Sequence, residues 1–359
     1  MNAVILAGGK GTRLRPLTLH TPKPIVPILD RPFLTSQIEL LRRAGIVNIV
    51  LSLSYQPRRI ENLFGDGRKL GVKIHYTVEP EPLGTAGAVK NAEALLSSRT
   101  IVFNGDVLSD IDLPSVLAFH EKKGAKATIV LTPVDNPSAY GLVEASKDGR
   151  VSRFLEKPSY DEITCDTINA GVYILEPEML KYIPKGRNYS FERGFFPTLL
   201  REQEPFFAFV HRGYWIDIGT PDKYLKAHQD ILRDDLKLEG FSTNAGGTYV
   251  DPSASVEKNV RISGPSFIGA KATIKSGAHI EPFAVIGENC RIEEGATISN
   301  SVLWPNVRVG AEARVRGALI GKNSHIGRHA QLEGGTVLGD KSVVTDFSRA
   351  GHHEGYPEG

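Results

Sequence analysis

The chain has 359 residues, 41% hydrophobic and 23% charged, with 43 Lys and Arg against 41 Asp and Glu for a formal charge of +2. A balance this close to neutral argues against a nucleic-acid or membrane-surface partner, and no apolar run approaches a membrane span. The two cysteines, Cys165 and Cys290, lack metal-ligand spacing, and "MNAVILAGG" lacks a secretory start, so a cytoplasmic protein with reduced thiols is expected.

From the N-terminus to about residue 232, apolar runs of strand length alternate with helical patterns. "AVILAG" leads to "PFLTSQIELLRRAGI", then "NIVLSLS", "RRIENLFGDG", "VKIHYTVE", "TAGAVKNAEALLSS", "TIVFNGD" and "LPSVLAFHEKKGA". Val- and Ile-rich strands separated by helices predict an α/β domain, with a Rossmann-like, mainly parallel sheet covered on both faces. Ligands of such sheets sit beyond the carboxyl ends of the strands. "GGKGTRL" (8–14) and "NGD" (104–106) both follow strands and are expected at that rim.

Residues 233–249 read as a linker, with Asn and Gly breaking a charged helical end. From Val250 to about 345 an aliphatic residue returns every sixth position: Val256, Ile262, Ile268, Ile274, Ile280, Ile286, Ile292 and Ile298. Two five-residue steps interrupt the beat, which continues to Val344, and small residues such as Ala272, Ala278, Ala284 and Cys290 stand four places on. No helix or ordinary strand has this period; it is the signature of a hexapeptide β-helix. It resembles the left-handed parallel β-helices of the hexapeptide-repeat family, whose open ends and flat faces lead us to expect a homo-oligomer formed through this domain. Residues 346–359 read as a flexible tail.

The glycine-rich opening fits neither the Walker A spacing nor the dinucleotide fingerprint, since Leu14 stands where the latter needs its third glycine. Its continuation is more specific. In order come "GGKGTRL" (8–14), "PKP" (22–24), "EPLGTAGA" (81–88), "NGD" (104–106), "YGLVE" (140–144), "FLEKP" (154–158), "NAGVY" (169–173) and "YWIDIGTP" (214–221). This set resembles the sugar-1-phosphate nucleotidyltransferases, which join a nucleoside triphosphate to a sugar 1-phosphate and release pyrophosphate.

The resemblance implies roles that the residue types suit. Leu6, Gly8, Gly9, Gly11, Thr12, Arg13, Gly84 and Thr85 would bind nucleotide, with bare backbone close to base and phosphate. Arg13 and Lys23 would neutralise the reacting phosphates as catalytic cations, Lys23 being held between two prolines. Asp106 and Asp217 match the Mg²⁺ ligands, a cofactor that favours a few carboxylates beside phosphate oxygens. Gly141, Glu156, Lys157 and Asn169 would line the sugar-phosphate pocket. Asp110 and Asp112 read instead as loop and helix-entry residues.

Glu79 carries the base expectation. Guanine presents two adjacent N–H donors that one carboxylate can accept, whereas thymine and uracil set a carbonyl beside each donor. The "EPLGTAGA" motif, the hexapeptide tail and the length resemble the branch of the family that uses mannose 1-phosphate. Thymidylyl or adenylyl transfer to glucose 1-phosphate is the alternative. Further off stand an acyltransferase built on His279, His325 or His329, and a catalytically silent regulatory subunit, which the presence of Arg13, Lys23, Asp106, Lys157 and Asp217 disfavours.

Overall fold

The computed structural model describes residues 1–156, 159–244 and 246–351. They form two compact units, one of Met1–Gly9 with Leu34–Ile216, the other of Lys10–Phe33 with the chain from Asp217 onward. The segment with Arg13 and Lys23 therefore groups with the C-terminal half of the chain.

The first unit is built on a nine-stranded sheet: β1 (Asn2–Leu6), β2 (Asn48–Leu53), β3 (Lys73–Val78), β4 (Thr100–Asn104), β5 (Ala127–Pro133), β6 (Gly141–Ala145), β7 (Val151–Glu156), β8 (Thr167–Leu175) and β9 (Phe206–Val210). The order is β7-β6-β8-β4-β1-β2-β3, with β5 beside β8 and β9 beside β5. Strands β3, β2, β1 and β4 run parallel, as the alternation of strands and helices leads one to expect. Beyond them β8 turns antiparallel to β4, β5 and β6. The parallel strands are near-continuous apolar runs because both faces are covered; Ala3, Val4, Ile5, Ile49, Leu51, Ile101, Val102 and Phe103 are all buried. The helices of this half are α1 (Phe33–Arg43), α2 (Pro57–Phe64), α3 (Gly84–Asn91), α4 (Leu113–Lys122) and α5 (Phe196–Arg201). Asp112 caps α4 by accepting from Ser115 N, the helix-entry role its position suggests. An aromatic cluster of Tyr173, Phe191, Phe195, Phe196 and Phe206 holds β8 against a π-helical turn, Phe191–Phe195, that leads into α5.

The second unit contains α6 (Pro221–Leu232) and a left-handed β-helix of three parallel six-stranded sheets, running from Thr248–Val250 to Arg349–Ala350. Strand follows strand at every third step, so the six-residue beat becomes three faces per coil. Ile268, Ile286, Leu303 and Ile320 stack in one inward row, Ile274, Ile292, Val309 and Ile326 in the next, Ile280, Ile298, Val315 and Leu332 in the third. The small corner residues, Cys290 included, pack among them, and burial pushes the Cys290 thiol up to about 12. The two short steps turn through Asn300 and Gly317, both at positive φ.

One outward row departs from the other two. Phe267, Val285, Val302 and Leu319 point away from the coil interior yet are buried, whereas Arg291, Arg308 and His325 occupy a matching outward row on the second sheet. Phe241 and α6 lie on the apolar side: Phe241 packs on Phe267, Gln229 donates to Asn300, and Trp304 Nε1 donates to Tyr224 OH at 2.9 Å. His228, one turn along α6, is buried with Nδ1 2.9 Å from Tyr224 O, and burial pushes its imidazole down to about 4. The unfolded chain protonates this group below about pH 6.5 and the folded chain does not. Its stabilising effect is therefore present above pH 6.5 and is lost as pH falls toward 4. In denaturant titrations, the wild-type protein is expected to lose about 2 kcal/mol between pH 7.5 and 5 relative to His228→Phe. Parallel profiles for the two proteins would refute the neutral, buried imidazole.

Candidate active site

In the first unit, the carboxyl ends of four parallel strands set the functional residues side by side. Leu6 is in register with Ser52 on one side and Asn104 on the other, and Ser52 with Thr77. The chain leaves these ends as Ala7-Gly8-Gly9, Glu79 and Gly105-Asp106. Gly105 N donates to Leu6 O at 3.0 Å, and a Cβ on Gly105 would lie 2.3 Å from that oxygen, so only glycine lets the "NGD" turn approach β1. Gln37, buried on α1, donates to both Asn104 O and Val107 O at 2.8 Å, bracketing the partly exposed Asp106.

Glu79 is not a solvent-facing side chain. Its Oε2 accepts from Leu83 N at 2.9 Å, its Oε1 accepts from Ser52 Oγ at 3.3 Å, and a Cβ on Gly8 would lie 3.0 Å from Oε1. A carboxylate has about four acceptor positions, so each oxygen keeps one lone pair for a ligand. Gly9 is exposed, and a Cβ there would meet nothing within 4 Å.

At Gly84 and Gly141 the space a side chain would take is filled by protein. A Cβ on Gly84, at φ +72, would lie 2.8 Å from Tyr189 O. One on Gly141 would lie 2.9 Å from Phe154 Cζ and 3.0 Å from Glu156 Oε2. Gly141 and Glu156 are register partners on β6 and β7, so the structure brings these two sugar-pocket candidates together. Thr85 has its hydroxyl engaged: it donates to Glu192 Oε2 at 3.0 Å and accepts from Phe191 N at 2.8 Å. Asn169 donates to Tyr173 OH at 2.9 Å and accepts from Gly171 N at 2.9 Å, so its side chain braces the strand end. Lys157 lies outside the described residues.

Glu192 was not singled out from the sequence, yet it joins these candidates. It accepts from Thr85, from Ser190 Oγ at 2.5 Å and from Tyr173 OH at 3.5 Å. Burial, then the Glu192 charge, hold the Tyr173 phenol well above its ordinary range, so it stays a hydroxyl donor. A polar residue in a π-helical turn is the one available sequence-level hint, and such turns have no readable period. Asp110, read as a loop residue, pairs with His211 at 3.0 Å.

In the second unit, Gly11 sits at φ +61 and opens a short turn over Thr12–Leu14, in which Thr12 and Arg13 are exposed. A Cβ on Gly11 would lie 2.9 Å from Lys23 Cβ, so the glycine admits the stem of Lys23, which is only 8% exposed. Thr18 Oγ1 closes the loop by donating to Gly11 O at 2.7 Å. Asp217 is buried, with Oδ1 paired to Lys223 Nζ. A Cβ on Gly219 would lie 2.8 Å from Asp217 Oδ2 and 3.1 Å from Arg13 Nη2, so carboxylate and guanidinium flank the same bare backbone. Lys223 was also missed. It falls in the first turn of α6, after the Thr220 cap and Pro221, where a lysine reads as a solvated residue.

Asp106 in the first unit and Asp217 in the second carry the carboxylate oxygens that Mg²⁺ prefers among protein ligands. Among the described residues, no group of three or more His, Cys, Asp or Glu is placed to hold a metal ion. In the coil, His279 and His325 lie on different sheets, and His329 stacks on Phe347 at 4.7 Å.

Two family models match the chain: the nucleotidyl transferase model over residues 2–234 and the GMPPB C-terminal domain model over 262–349. A mannose-1-phosphate guanylyltransferase of Mycobacterium tuberculosis is 40% identical over 279 residues, 77% of each chain. A UTP–glucose-1-phosphate uridylyltransferase of Synechocystis is 35% identical over 328 residues, 86% of this chain and 84% of its own. Among solved structures, HddC from Yersinia pseudotuberculosis, also solved complexed with GMP-PN, superposes with a TM-score of 0.56 at 35% identity. It spans 64% of this chain and 99% of its own.

Proposed function

The chain belongs to the nucleotidyl transferase family and is a sugar-1-phosphate nucleotidyltransferase, and from that premise we propose that it guanylylates mannose 1-phosphate with GTP. The observation that carries the base assignment is Glu79, fixed by Leu83 N and Ser52 Oγ beside Gly8. Its remaining lone pairs match the N1–H and N2–H pair of guanine and oppose the carbonyls of uracil and thymine. The mannose-1-phosphate guanylyltransferases at about 40% identity support both the base and the sugar. The uridylyltransferase at 35% identity favours a second reading, UTP with glucose 1-phosphate.

In the proposed reaction an oxygen of the sugar phosphate attacks the α-phosphorus of GTP. A new P–O bond forms as the α–β bridging bond breaks, and pyrophosphate leaves with the bonding pair. The nucleophile is already largely ionised near neutrality, its second pKa being about 6, so no general base is needed. Arg13 and Lys23 offset the charge that gathers on the departing pyrophosphate. Asp106 and Asp217 would hold Mg²⁺, which when bound lowers the repulsion between the two phosphate esters.

A grid of GTP, UTP, dTTP and ATP against mannose and glucose 1-phosphates, scored by pyrophosphate release, tests the assignment. GTP with mannose 1-phosphate is expected to give the highest kcat/KM; a higher value for UTP with glucose 1-phosphate would select the second reading. In the same assay Glu79→Gln is expected to lower kcat/KM for GTP by about 10- to 100-fold, the effect of losing charge-assisted hydrogen bonds, while sparing UTP. An unchanged GTP-to-UTP ratio would remove Glu79 from base recognition.

A further inference from the structure

The segment that bears Arg13 and Lys23 is fastened to the C-terminal half of its own unit at several points. Thr21, 4% exposed, donates from Oγ1 to Asp340 Oδ2 at 3.2 Å and accepts from Lys322 Nζ at 3.0 Å. Asp340 and Lys322 also approach each other at 3.6 Å, and Asp340 Oδ1 accepts from Lys322 N at 3.1 Å. The Asp340 side chain is 3% exposed and that of Lys322 37%, so a buried carboxylate and a partly exposed ammonium meet at one threonine hydroxyl. Next to it a Cβ on Gly339 would lie 3.2 Å from Pro16. Further along the segment, Tyr224 OH donates to Pro27 O and is itself held by Trp304, while Arg31 Nη1 donates to Glu239 O at 2.6 Å.

We propose that Lys322 and Asp340, on two successive coils of the β-helix, are positioning residues that act through Thr21 on Lys23. Between Thr21 and Lys23 stands only Pro22, whose ring fixes its own φ and restricts the backbone of Thr21 before it, so few dihedrals remain in which a shift of Thr21 could be absorbed. Lys23 in turn packs its stem beneath Gly11, the first residue of the turn that carries Arg13. A hydroxyl with both its donor and an acceptor position engaged by ionic groups has one working orientation, and leaving either charge unpaired here is unfavourable. The last coils thus do more than continue the stack; they set the conformation of the phosphate-handling segment. This inference rests on the phosphate role proposed above for Lys23.

The test is a double-mutant cycle on the full-length protein, read as kcat and KM for pyrophosphate release together with the melting temperature. Thr21→Val and Asp340→Asn are each expected to lower kcat by about 10-fold or more, the usual penalty for a displaced reacting group, and Thr21→Ser to restore it. In a Lys23→Met background, Thr21→Val is expected to have no further effect on kcat, because its influence passes through the lysine. An undiminished loss in that background would overturn the inference and assign Thr21 a merely structural role. Wild-type kcat in Thr21→Val and Asp340→Asn, with Lys23→Met inactive, would overturn it while leaving the role of Lys23 intact. Full activity in Lys23→Met would instead refute the role on which it rests. Lys322→Gln, whose amide can still donate to Thr21 Oγ1 without the charge, carries the comparison if Asp340→Asn fails to fold.

Discussion

Replacing Asp106 or Asp217 by asparagine is expected to lower Mg²⁺-dependent kcat/KM for pyrophosphate release by about 10³-fold, among the largest effects a single substitution can have here. Both changes keep shape and remove charge, so the loss would report electrostatics. The environments of the two acids separate their secondary effects. Asp106 is partly exposed at the end of the "NGD" turn, so Asp106→Asn is expected to leave the melting temperature within a few degrees. Asp217 is buried, with Lys223 on Oδ1 and Arg13 close to Gly219, and its neutralisation removes the carboxylate charge that Lys223 pairs with. Asp217→Asn is therefore expected to be the less stable of the two, and its apparent affinity for Mn²⁺ in the presence of GTP, followed by electron paramagnetic resonance, to fall as well. Full turnover in either variant would refute the assigned role of that acid.

The fold was legible wherever it depended on a period. The six-residue beat predicts inward rows, and the structure places those aliphatics in three stacked ladders. The alternation of strands and helices anticipates the parallel strands β3-β2-β1-β4, because βαβ crossovers bury both faces of each strand. It says nothing of β8, whose antiparallel placement depends on aromatic packing between Tyr173, Phe191 and Phe196, residues that meet only in three dimensions. A signal for the covered side of the coil was present but is easily passed over. Phe267, Val285, Val302 and Leu319 are apolar at outward positions where the neighbouring sheet carries arginine and histidine, and that contrast marks the side against which other chain segments pack.

The site was legible as a set of motifs and less so as a set of roles. A side chain at Gly9 would meet open space, whereas one at Gly84 or Gly141 would meet Tyr189, Phe154 and Glu156, and one at Gly11 the stem of Lys23. Absence of a side chain is visible in a sequence, but the atom that fills the vacancy is not. Likewise the hydroxyl of Thr85 and the amide of Asn169 are engaged by Glu192, Phe191, Tyr173 and Gly171, partners that the motifs alone do not name. The ordered motif set identifies the family because eight short matches in sequence are specific together. Each match taken alone leaves open whether its residue touches ligand or holds the residue that does.

Gly105 offers the sharpest test of how closely the strand ends must fit. Gly105→Ala adds one methyl group, and its carbon would fall 2.3 Å from Leu6 O, well inside van der Waals contact. The oxygen belongs to the backbone of a buried parallel strand, paired on both sides, and cannot rotate away. The turn must move instead, and Gln37 resists that by holding Asn104 O and Val107 O on either side of Asp106. Overpacking of this kind is expected to reduce stability by about 1–3 kcal/mol. Displacing Asp106 by as little as about 1 Å is expected to lower kcat/KM roughly 100-fold, more than the lost stability explains in a protein that remains folded. Measurement of both at 25 °C separates the two effects: a stable, fully active Gly105→Ala would show that the turn tolerates a shift, and that Asp106 need not sit where β1 and β4 now fix it.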